Sequence, residues 1–126
     1  MLVNQNILVA DDDASIRLLI RHSLERAGYD VSEAVNGVEA VRAVHAAAFD
    51  LVITDILMPE MDGLETIVHL RKRKPALKVI AISGYENALF LADARGLGAA
   101  RVLAKPFKPS ALLALVHDLI GQEPVA

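Results

Sequence analysis

Five short runs, Ile7 to Ala10, Asp30 to Glu33, Leu51 to Thr54, Val79 to Ile82 and Arg101 to Ala104, alternate along the chain with longer stretches whose apolar residues return at helical spacing. Parallel strands need long crossovers, and helices supply them, so the alternation implies one parallel sheet with helices on both faces. Three of the runs are nearly continuous in branched apolar residues, as strands buried on both sides require. Asp30 to Glu33 is more polar and belongs nearer an edge. Five strand and helix units in 126 residues make an open three-layer α/β sandwich the simplest construction, too short for a second domain of ordinary size.

The helices have starts and stops of their own. Asp13 is placed to cap the first, where Ile16, Leu19, Ile20 and Leu24 form the expected inward stripe and Gly28 permits the exit. Asn36 caps the second, with Glu39 at the reciprocal position of a capping box. The third runs from near Leu64 to near Pro75, and the fourth from about Glu86 to Arg95, before Gly96 and Gly98. Pro109 opens the fifth, which buries Leu112, Leu115, Val116 and Leu119 and closes at Gly121. The tail Gln122 to Ala126 contains Pro124 and reads as a frayed end or the start of a linker.

Composition excludes several classes of function. An apolar content of 54% and a net charge of −3 argue against disorder and against a strongly basic nucleic-acid module. With no cysteine there is no disulfide, thiolate metal site or cysteine nucleophile. Met1 to Asn6 lack a basic region followed by a long apolar one, and no stretch approaches membrane-spanning length, so a cytoplasmic protein without membrane insertion is expected. His22, His45, His69 and His117 are scattered over helices and do not suggest a zinc site, and the basic run Arg71 to Lys74 reads as a solvated helix end.

The polar residues that remain collect at one kind of place. Asp11 and Asp12 follow the first strand, Asp55 the third, Ser83 the fourth and Lys105 the fifth. In open parallel sheets the crevice for ligands lies at these carboxyl ends, where the strand order reverses. Carboxylates converging there repel one another unless a counter-charge is present, and a hard divalent ion together with Lys105 would remove the conflict. Magnesium is the metal expected, because a few carboxylate oxygens, a carbonyl and waters suit its octahedral shell. Asp55 can then act as a nucleophile toward phosphorus, with Ser83 donating its hydroxyl proton to the transferred oxygens. Helix capping and loop solvation explain Asp13 by themselves, but not the conjunction of Asp11, Asp12, Asp55 and Lys105.

The segments Ile7-Leu-Val-Ala-Asp-Asp-Asp13, Asp55-Ile-Leu-Met-Pro59, Met61-Asp-Gly63, Ser83-Gly84 and Lys105-Pro-Phe107 resemble those of response-regulator receiver domains, including stand-alone chemotaxis-type receivers. The resemblance covers about residues 6–121 and implies a single receiver domain over residues 1–126, with a doubly wound, flavodoxin-like five-stranded sheet in the order 2-1-3-4-5. It implies magnesium held by Asp11, Asp12, Asp55 and the carbonyl of Leu57, and a phosphoryl group taken by Asp55 from a histidine kinase or histidine phosphotransfer protein. Ser83 and Lys105 would contact that group, and Lys105-Pro106 would be a cis peptide. The output would be an altered surface for an unknown downstream protein or a second copy of the chain, with no direct contact to nucleic acid.

Two positions depart from the family pattern. Val102 stands where receivers commonly carry an aromatic residue, which favours switching by loop and helix displacement over ring burial. Leu57 stands where a polar residue is frequent, which implies slow loss of phosphate, and Tyr85 is placed to cover part of the pocket. Leu18 and the Pro106 to Pro109 corner suggest a docking patch for the donor. Two alternatives stay open at this stage: a receiver fragment of a multidomain regulator, and a small magnesium-dependent phosphohydrolase working through an aspartyl phosphate.

Overall fold

The computed structural model describes residues 4–84 and 88–121. Tyr85, the expected start of the fourth helix at Glu86, and the tail with Pro124 lie outside the described residues. Five strands, β1 (Asn6–Ala10), β2 (Asp30–Ala34), β3 (Leu51–Asp55), β4 (Lys78–Gly84) and β5 (Arg101–Lys105), alternate with α1 (Ala14–Arg26), α2 (Gly37–Ala46), α3 (Gly63–Arg73), α4 (Ala88–Leu97) and α5 (Pro109–Ile120). All strand pairs are parallel, in the order β2-β1-β3-β4-β5. The polar β2 is an edge strand, as its sequence indicates, and β3 is buried along its whole length.

Alternation along the strands divides the core into two layers. Ile7, Val9, Leu51, Ile53, Ile80 and Ile82 pack with Ile20 and Leu24 of α1 and with Leu112 and Val116 of α5. Leu8, Ala10, Val52, Val79 and Ala81 point the other way, to Ala40 and Val44 of α2, Ile67 and Leu70 of α3, and Leu91 and Ala94 of α4. Emptying one of the fully buried branched positions, such as Ile53, to alanine costs about 2–5 kcal/mol, which is why the strand centres tolerate little change.

The helix ends follow the capping residues, with differences in detail. Asp13 accepts from the N–H groups of Ser15 and Ile16 at 2.9 and 3.3 Å, and Asn36 from that of Glu39 at 2.8 Å. The return bond of the second cap goes from Val35 N–H to Glu39, one residue earlier than in a standard capping box. Asp62 caps α3, so that helix begins at Gly63. Pro109 opens α5, and Gly28 leaves α1 with φ of 99°, a conformation that suits glycine.

Three expectations need correction. α4 continues through Gly96 to Leu97 instead of stopping at Arg95, and Gly98, with φ of 120°, follows its end. Leu19 is 46% exposed beside Leu18 at 51%, so the inward stripe of α1 is Ile16, Ile20 and Leu24, one residue per turn. Those three meet β1, β3 and α5 along a narrow seam, and the row of Leu18 and Leu19 beside it stays in water. Asp55, Ser83 and Lys105 do not follow their strands. They lie within them, paired in register with Ile82, Ala104 and Gly84, because the neighbouring strands extend far enough to continue the ladder.

Candidate functional site

The chain reverses its direction of winding between β1 and β3, and the carboxyl ends of these two strands carry the acidic residues. Asp11 continues the β1 ladder by donating its N–H to Ala34 at 3.1 Å, and Asp55 closes β3. One carboxylate oxygen from each of Asp11, Asp12 and Asp55 lies within 4.8 Å of the others. Asp11 and Asp55 are buried, at 1% and 7% exposure, whereas Asp12 faces solvent. Lys105, two strands away on β5, reaches across to donate to Asp55 Oδ2 at 3.0 Å and to Asp11 Oδ2 at 3.3 Å. The Lys105-Pro106 bond that follows it is cis.

The charges in this pocket are unevenly balanced. Burial pushes the Asp11 carboxyl above its ordinary range and the charge of Asp55 adds to the effect, against the Asp13 N–H, which donates to it at 2.9 Å, and against Lys105. Burial works to lower the Lys105 ammonium, but its hydrogen bond to Asp55 and the charges of Asp11 and Asp55 outweigh it, so the group is raised and stays protonated. Three carboxylates against one ammonium leave an excess of two negative charges when all are ionised, and an oxygen-ligated cation of charge two cancels that excess.

Ser83 is fully buried on β4, and its hydroxyl has no hydrogen-bond partner among the described residues. An unpaired buried hydroxyl costs about 1–3 kcal/mol, so the position favours a visiting acceptor. Strand alternation sets Ser83 in step with Val79 and Ala81, on the α2, α3 and α4 side, whereas Asp55 and Lys105 are in step with Ile53 and Leu103 on the other. The fold thus joins Asp11, Asp12, Asp55 and Lys105 directly, and brings Ser83 to the same sheet edge without bonding it to them. The Leu57 side chain is apolar and 49% exposed, so the backbone carbonyl is the one oxygen this residue could offer a cation. Val102 packs partly buried against the α2 to α4 layer, as an aliphatic strand residue would.

Sequence reasoning missed the residues that hold the loop after Asp55. Gly63 donates to Ile56 O at 2.7 Å, and a Cβ there would fall on the carbonyl of Asp55 and 2.6 Å from Ile56 Cα. Gly37 at the start of α2 donates to Met61 O at 3.2 Å, and its Cβ would collide with Thr66 Oγ1 and lie 2.5 Å from Met61 O. The one trace of this in the sequence is the Met61-Asp-Gly63 segment itself.

The model of the response regulator receiver domain matches residues 7–117. The chain belongs to the response regulator receiver family. The receiver is 35% identical over 118 residues to the chemotaxis protein CheY of Thermotoga maritima, covering 93% of the chain and 98% of that protein. It is 32% identical over 124 residues to the alkaline phosphatase synthesis transcriptional regulatory protein PhoP of Bacillus subtilis, covering 98% of the chain but 52% of the relative, and thus about half of its length. Among solved structures it is similar to the receiver domain of NtrX from Brucella abortus, with a TM-score of 0.88 and 31% identity, covering 93% of this chain and 99% of that one.

The acidic cluster of Asp11, Asp12 and Asp55 is of the kind found in receiver phosphoacceptor pockets, and it is capable of coordinating a divalent metal. Membership of the family together with this cluster is consistent with the self-phosphorylating signalling behaviour typical of receivers. Among the described residues no helix is long and apolar enough to cross a membrane.

Proposed function

We propose that this receiver takes a phosphoryl group from a phosphohistidine onto Asp55, with magnesium as the metal, and that the resulting change of charge alters a surface read by another protein. The observation that carries the reading is the Lys105 ammonium held between Asp55 and Asp11 at the switch point of the sheet. Asp11, Asp12 and Asp55 would hold the ion together with the Leu57 carbonyl, and the excess of negative charge suits such a site. When bound, magnesium supplies the positive charge that lets an anionic donor approach three carboxylates.

In the transfer, a carboxylate oxygen of Asp55 attacks phosphorus as the phosphorus–nitrogen bond of the donor breaks, and the bonding pair returns to the imidazole nitrogen. Lys105 already lies against that carboxylate and follows the negative charge onto a phosphoryl oxygen. Ser83 donates its hydroxyl, which has no partner among the described residues, to another. We take residues 1–126 to act as one receiver unit with its folded core at about residues 6–121, whether alone or as part of a longer regulator.

The test is magnesium-dependent incubation with a phosphodonor, followed by intact mass and site mapping on wild type and Asp55→Asn. A single labile addition at Asp55 that is absent from the variant is expected. An active donor and a folded protein without that addition would remove the proposal, and repeated turnover of small phosphomonoesters would support a phosphohydrolase in its place.

A further inference from the structure

Arg17 lies on the second turn of α1, where a solvated cation would be unremarkable, yet its side chain is 15% exposed against 38% for Arg21 one turn on. Its Nη1 donates to the backbone carbonyl of Asp11 at 2.7 Å, while its Nε donates to Glu33 on β2 at 2.8 Å. Glu33 is held in turn by Arg21 at 2.6 Å, and these two arginines, Arg21 first, keep its carboxyl below the ordinary range. The planar guanidinium therefore ties the edge strand to the loop that carries the acidic pair, a span that suits its fork of donors and not the point charge of a lysine.

The bond to Asp11 acts on the peptide unit that joins Asp11 to Asp12. Asp11 is otherwise fixed by its N–H on Ala34 and by its two carboxylate oxygens, which accept from Asp13 and Lys105. Its carbonyl sets the tilt of the next peptide, and through it the direction in which Asp12 leaves the strand. We infer that Arg17, anchored on Glu33, is a positioning residue for phosphoryl transfer: it holds the Asp11–Asp12 peptide in one orientation, and with it the two carboxylates that would take the cation. This rests on the proposed receiver function, and partners that orient ligands from one bond away are worth about 10–100-fold in metal affinity.

The sign of the effect separates positioning from charge. Removing a positive charge beside a cation site should by Coulomb's law tighten cation binding, whereas losing the support of the loop should weaken it. The experiment titrates metal-free wild type, Arg17→Lys and Arg17→Ala with magnesium by calorimetry, follows the Asp12 amide by NMR before any metal is added, and measures labelling by a small acyl phosphate against magnesium concentration. For Arg17→Lys, which keeps the charge, we expect magnesium binding weakened about 10-fold or more. The Asp12 amide should be displaced in the metal-free protein. Labelling at saturating magnesium should return to within about threefold of wild type.

Magnesium binding by the folded variants as tight as wild type or tighter, or an unmoved Asp12 amide, would overturn the inference. If Arg17→Ala does not fold, Arg17→Lys decides. A wild-type protein that takes neither magnesium nor phosphoryl group would bring down the receiver function and this inference together, whereas a normal wild type with normal variants removes the inference alone.

Discussion

Replacing Lys105 by methionine keeps much of the aliphatic stem and deletes the charge that bridges Asp11 and Asp55. Screened surface pairs are worth about 0–1 kcal/mol, and breaking a buried pair costs about 3–5 kcal/mol. Lys105 falls between these limits, with its side chain 23% exposed and the side chains of its partners Asp11 and Asp55 at 2% and 9%. Like charges at the 4.8 Å limit of the cluster repel by about 3 kcal/mol at an effective dielectric near 20. Protonation sets a ceiling, because neutralising an ordinary carboxyl at neutral pH costs about 4 kcal/mol, and the raised Asp11 is neutralised for less. We therefore expect Lys105→Met to lose about 2–3 kcal/mol in urea unfolding with a metal chelator present.

Magnesium should then reverse most of that loss, since a cation that binds the folded state alone stabilises it by an amount that grows with the logarithm of its concentration over its dissociation constant, and it no longer competes with the ammonium. The assay is a pair of urea transitions followed by circular dichroism, in chelator and in saturating magnesium. Equal stability of wild type and variant in chelator, or a deficit that magnesium does not shrink, would refute this account of the pocket.

Gly63→Ala should destabilise the fold by about 1–3 kcal/mol or more, because its Cβ meets backbone that cannot step aside, and an unchanged urea midpoint would show that the loop yields. Leu57→Asn places a polar group two residues after Asp55 and is expected to speed the decay of the acyl phosphate, so equal lifetimes would clear Leu57 as the cause of slow loss. Leu18→Asp, on the exposed face of α1, should slow transfer from a cognate kinase more than transfer from a small acyl phosphate, and parallel losses would argue against docking there.

The three-layer architecture is legible because short buried strand runs alternate with helical stretches; that Ile7 and Val9 serve one side and Leu8 and Ala10 the other comes from the folded chain, since a continuous apolar run carries no alternation of its own. The acidic residues and Lys105 were legible because each sits where a strand ends, and strand ends of a parallel sheet converge. The order of the strands came from the family resemblance, since periodicity does not say which strand lies beside which. Leu19 was misplaced because helical spacing gives the direction of a stripe but not how wide a surface is waiting to cover it. The roles of Gly37, Gly63 and Arg17 are hidden for a different reason: each depends on a close approach to another segment, at Met61 O and Thr66, at Asp55 O, and at Asp11 O, and such approaches are fixed only by the fold. The donor role of Ser83 is readable from the sequence, whereas the lack of a partner for its buried hydroxyl among the described residues comes from the folded chain.

The two layers of the core differ in texture as well as in membership. Alanine recurs on the α2, α3 and α4 side, at Ala10, Ala34, Ala40, Ala81, Ala94 and Ala99, while the buried residues of the α1 and α5 side are branched or aromatic. Interlocked branched side chains resist sliding, and small ones offer a smoother bearing on which helices shear at lower cost. Ser83 is in step with the smooth side. Under the proposed function, a pull on its hydroxyl would reach the half of the molecule with the smaller buried side chains, while the half with α1 and the acidic loop, interlocked by branched residues, would yield less.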